Sequence, residues 1–84
     1  MRRPLRPVEA FYDSLAMLDG SFETVEAYKV LMLRLAAHPE RGRLLPDMSV
    51  RVMKTEGYGP FMPLRIYYEL DDETVHLLKV DTYG

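Results

Sequence analysis

The spacing of hydrophobic positions changes along the chain, and each change predicts a different element. Phe11, Tyr12, Leu15 and Leu18 recur at helical spacing, with Glu9 and Asp13 toward the positive end of the helix dipole. This predicts a short helix from about Val8, closed by Asp19-Gly20. Ser21 is placed to cap a second helix whose first turns carry Glu23 and Glu26. Phe22, Val25, Tyr28, Met32 and Leu35 then recur at spacings of three and four, widened by Leu31 and Ala36, so this helix runs to about Ala37. Pro39 forces the residue before it, His38, out of helical geometry and ends the run. Ahead of both helices, Arg2-Arg3-Pro4-Leu5-Arg6-Pro7 contains two residues without an N–H, which fits an edge strand or an extended arm and excludes a central strand.

After a connection over residues 40–47 containing Gly42 and Pro46, the period becomes two. Met48, Val50 and Val52 alternate with Ser49, Arg51 and Met53, predicting a half-buried strand with the valines inward. Residues 55–63 are a glycine- and proline-rich loop. Leu64, Ile66, Tyr68 and Leu70 then form one face of a strand, with Arg65, Tyr67 and Glu69 on the other. Asp71-Asp72-Glu73 supplies a polar turn, and residues 74–80 return as its hairpin partner. The predicted architecture is a single α+β domain over residues 1–84, with a helical hairpin packed on a mainly antiparallel sheet of three to four strands. If Leu5 marks a first strand, the helices are its crossover and it pairs with a later strand. The expected core packs Val25, Tyr28, Met32 and Leu35 on a sheet face bearing Val50, Val52, Ile66 and Tyr68.

Composition supports a folded chain: 48% of the 84 residues are hydrophobic and 29% charged. The absence of cysteine excludes a thiol nucleophile, a CxxC redox motif and a cysteine zinc site. No apolar run approaches the ~18 residues of a membrane span, so a soluble cytoplasmic protein without a membrane partner is expected. The net charge of -2 conceals a gradient. Between Lys29 and Arg65 seven basic residues face three acids, whereas from Ile66 onward one lysine faces five. The basic middle is suited to a local anion-binding face.

Familiar catalytic motifs are missing: no GxGxxG, GxxxxGK, HExxH or GxSxG occurs. His38 reads as a helix-end residue and His76 as a strand residue. Consecutive acids in a tight turn point in different directions, so residues 71–73 are read as a turn, with neither metal nor cofactor expected. Arg51 and Arg65 remain, on neighbouring strands and expected to leave the core face together. With Tyr67 beside them and Arg41, Arg43 and Lys54 flanking, they form a set suited to holding phosphates and stacking a base. The competing reading is a charged strand face that discourages sheet aggregation.

The order of pieces adds a resemblance. Leu35-Ala36-Ala37-His38-Pro39-Glu40-Arg41-Gly42, Leu45-Pro46-Asp47, Val50-Arg51-Val52, the run from Pro63 to Asp72 and Thr74-Val75-His76-Leu77-Leu78-Lys79-Val80 together resemble the RelE/ParE superfamily of small bacterial toxins, over roughly residues 21–83. The resemblance implies the toxin component of a type II toxin-antitoxin system, neutralised by a cognate antitoxin. RelE-like members cut mRNA on the ribosome without a metal; ParE-like members poison gyrase. On this resemblance Arg65 and Arg51 fall where the family carries strand basic residues, and Lys54 and Tyr83 stand in for others, so Arg51, Lys54, Arg65 and Tyr83 are the catalytic candidates. Arg41, Arg43 and Tyr67, from the charge pattern above, are the RNA-binding candidates. This chain has Met53 where the family carries a second lysine, and nothing matches the family's late arginine. The alternative is therefore a catalytically degenerate or ParE-like member acting by contact with gyrase or an antitoxin.

Overall fold

A computed structural model describes residues 3–55 and 63–83. The elements run β1 (Leu5–Pro7), α1 (Glu9–Ala16), α2 (Phe22–Ala37), a single 3-10 turn (Pro39–Arg41), β2 (Arg43–Leu44), β3 (Val50–Lys54), β4 (Leu64–Leu70) and β5 (Val75–Thr82). Of the loop expected over residues 55–63, the part from 56 to 62 lies outside the described residues. Ser21 caps α2 as its position implies: its hydroxyl accepts from Thr24 N–H at 3.2 Å. Thr24 Oγ1 in turn donates to Asp19 Oδ1 at 2.6 Å, and this bond, with those from Ser21, lowers the Asp19 pKa. At the other end of α2, His38 leaves helical geometry before Pro39 (φ -141°, ψ 64°).

Among the described residues the sheet has five strands in the order β1-β5-β4-β3-β2, two-layered with the helices. This exceeds the expected three to four because the two edge strands are short: β1 has three residues and β2 two. Strand β1 pairs parallel with β5, so α1 and α2 do form its crossover, and every other pair is antiparallel. Helix α1 packs on β5 and α2 on β4 and β3. Between the layers lie Phe11, Ala27, Leu31, Leu35, Met53, Leu64, Ile66, Tyr68, Val75, Leu77 and Val80.

Two packing expectations need correction. On α2 the buried set is Thr24, Ala27, Leu31 and Leu35, rotated from the expected stripe. Val25 is 42% exposed and Phe22 73%, while Tyr28 and Met32 sit at the core margin. Ala27 brings only a methyl group to the interface, and Thr24 is buried with its hydroxyl bonded to Ser21 and Asp19. On β3 the inward parity is inverted. Met53 lies opposite Ile66 and Arg51 opposite Tyr68, whereas Val50 and Val52 lie opposite Glu69 and Tyr67 on the open face. Pairing with β4 fixes this phase, since a one-residue slip exchanges the faces.

The β4–β5 hairpin contains a bulge. Tyr68 pairs with Leu77 but Tyr67 with Lys79, leaving Leu78 as the extra residue. The bulge keeps Val80 in the core and brings Asp81 opposite Arg65. Uninterrupted pairing would have set Val80 there.

Candidate nucleic-acid interface

The corner where α2 runs into the 3-10 turn beside the β2 edge begins with a fully buried tyrosine. Tyr68 has its hydroxyl hydrogen-bonded to the carbonyl of Pro39, and burial pushes its pKa up. From the same sheet face, Arg51 Nη1 donates to the carbonyls of Gly42 at 3.0 Å and Glu40 at 3.4 Å. These bonds hold residues 39–42 against the sheet. A Cβ at Gly42 would overlap the Tyr68 hydroxyl, so the close approach requires glycine there. The fixed turn sets Arg41 and Arg43 on either side of Gly42.

Beside them opens a cleft of about 580 Å³. Arg34, Arg41, Arg43, Lys54 and Arg65 line it, with Leu45, Val52 and Met53 as apolar wall and Tyr67 at one side. Strand β2 ends after two residues paired with Val52 and Arg51. Among the described residues no strand lies beyond Met53 and Lys54, and the cleft occupies that position. Among the described residues five cations and no carboxylate line it, so their potentials add.

Lys54 and Arg65 face each other across β3 and β4 on the open sheet face. Lys54 Nζ lies 5.1 Å from the Tyr83 ring centre, and Arg65 Cζ lies 6.0 Å from the same ring and 5.7 Å from that of Tyr67. Lys79 Nζ is 5.9 Å from the Tyr67 ring. Arg65 also donates from Nε to Asp81 Oδ1 at 2.7 Å and from Nη2 to Oδ2 at 3.4 Å, which raises the guanidinium pKa.

The structure thus gathers Arg41, Arg43, Lys54, Arg65, Tyr67 and Tyr83 around one corner. Arg51 does not share the open face with Arg65, contrary to the parity expected. It points to the helix side, and its hydrogen bonds hold the 39–42 turn. Two further members escape a reading of the sequence. Arg34 is there only one base of the charge gradient, although it stands one turn before the end of α2 and so beside the turn. Asp81 faces Arg65 only because of the bulge at Leu78, which two adjacent leucines do not announce. The hairpin acids at 71–73 form a turn as expected: Asp71 accepts from Glu73 N–H at 2.8 Å and Thr74 N–H at 2.6 Å. Among the described residues no helix is long and apolar enough to cross a membrane.

Compared with known proteins, the chain matches no protein-family model and no curated protein.

Proposed function

We propose that the chain is a RelE/ParE-like toxin that grips RNA in the cation-lined cleft and cuts it, with a cognate antitoxin as its neutralising partner in the cytoplasm. The observation that carries this reading is the set Arg34, Arg41, Arg43, Lys54 and Arg65 around one cleft, with no acid among the described residues that line it. Planar guanidiniums bind phosphate oxygens in pairs, and neighbouring tyrosine rings accept an unpaired base. In the reaction the ribose 2′-oxygen bonds to the adjacent phosphorus, the 5′-oxygen leaves, and a proton passes from the 2′-hydroxyl to the leaving oxygen through the surroundings. The arginines stabilise the charge that builds on phosphorus, and Lys54 and Tyr83 are the groups positioned for proton transfer.

One observation favours a second reading. Asp81 already holds Arg65, and this suits a member that binds its target, gyrase or an antitoxin, without turnover. The deciding experiment follows labelled mRNA on translating ribosomes with purified protein, beside anisotropy of a labelled single-stranded RNA. Cut transcripts with salt-sensitive binding support the nuclease. Binding without cutting moves the chain to the second reading, and loss of both removes RNA as the target.

A further inference from the structure

Arg65 differs from Arg41, Arg43 and Lys54 in that, among the described residues, a carboxylate engages it. Asp81 takes the side fork of its guanidinium, Nε at 2.7 Å and Nη2 at 3.4 Å, which is one of the two edges able to grip a pair of phosphate oxygens. No carboxylate among the described residues lies within ion-pair distance of Arg41, Arg43 or Lys54. The side chains of Arg65 and Asp81 are 33% and 25% exposed, so water and ligands reach the pair and its attraction is screened. Lys79 Nζ stands 3.6 Å from Asp81 Oδ2. The carboxylate therefore keeps a cationic partner when Arg65 leaves it.

We propose that Asp81 is an intramolecular competitor of the anion that enters the cleft: it occupies Arg65 while the cleft is empty and passes to Lys79 when phosphate oxygens replace it. Asp81 thereby limits the affinity of the cleft. The inference rests on the cleft being a phosphate site, but not on RNA being the polyanion.

The test is calorimetric titration of wild type, Asp81→Asn, Arg65→Ala and the double variant with two probes, inorganic tripolyphosphate and a single-stranded RNA, at several KCl concentrations. Asp81→Asn should tighten tripolyphosphate binding about three- to tenfold, the range set by weak exposed ion pairs and charge-assisted hydrogen bonds. Its salt dependence should steepen by up to about one released counterion. In the Arg65→Ala background the gain should vanish. In wild type, the Arg65 Nε–H resonance should move as tripolyphosphate is added, a readout that needs no variant to fold. Unchanged or weaker binding in Asp81→Asn, an equal gain without Arg65, a static Nε–H signal, or no tripolyphosphate binding by any variant overturns the proposal. Tripolyphosphate binding with the expected gain but no RNA binding retains the role of Asp81 and removes the RNA reading.

Discussion

Two concentrations of charge sit on this sheet, and they are built in opposite ways. In the β4–β5 turn, the Asp71 carboxylate is fully engaged by its own neighbourhood: Oδ1 accepts two backbone N–H groups and Oδ2 lies 2.8 Å from His76 Nε2. In the cleft, Arg41, Arg43 and Lys54 have no such carboxylate among the described residues, and the turn that presents two of them is held by Tyr68 and Arg51 instead. A charge cluster in a sequence becomes a candidate site only where the fold holds its backbone and leaves its charge without a local counterpart. Asp71 in the acidic turn satisfies the first condition and fails the second.

The comparison breaks most visibly at Gly42. Gly42→Ala keeps every cation but forces the 39–42 turn off Tyr68, and should cost about 1–3 kcal/mol in urea unfolding, as overpacking does. RNA binding should weaken with it. Wild-type stability with wild-type binding would show that the bracing of this turn is irrelevant to the cleft.

A smaller effect, separable from stability, is expected for Arg43→Ala combined with Lys54→Ala. The melting midpoint should barely move, while the plot of log affinity for single-stranded RNA against log salt should flatten by about 0.7 for each phosphate that the protein ceases to neutralise. An unchanged slope would mean that the phosphates are held elsewhere.

The smallest effect belongs to the acidic turn. Hydrogen bonding to His76, Glu73 N–H and Thr74 N–H lowers the Asp71 pKa to about 2. The ordinary value is near 4, so its contribution is fully present above that pH and is lost as pH falls toward 2. Asp71→Asn should flatten the stability curve over this acid interval and leave RNA binding untouched. A curve of wild-type shape in the variant would mean the turn's bonds do not depend on ionisation.

Much of this fold is legible in the sequence because its signals are local. The Ser21 cap, the proline stop after His38, and the alternation of Leu64, Ile66, Tyr68 and Leu70 each depend on a few neighbouring residues. What fails depends on partners distant in sequence. Val50, Val52 and Met53 offer either parity on β3, and only pairing with β4 decides it. Arg51 reads as an outward charge until two carbonyls of the 39–42 turn are available to receive it. Strand β2 is too short to carry a period, so residues 40–47 read as connection alone. The cations of the candidate site are visible as a basic stretch; the arrangement that separates Arg51 from Arg65 and adds Arg34 and Asp81 is not.

The parallel pairing of β1 with β5 also bears on synthesis. Residues 5–7 emerge from the ribosome before the other strands described, yet their partner strand begins at residue 75 and stands between them and β4. The first strand must wait for the last, so the sheet cannot be completed progressively along the nascent chain. Such distant pairing slows folding and leaves apolar strand surface uncovered in the interim. Until Thr82 has emerged, β1 lacks its partner and the incomplete sheet is open to aggregation and proteolysis.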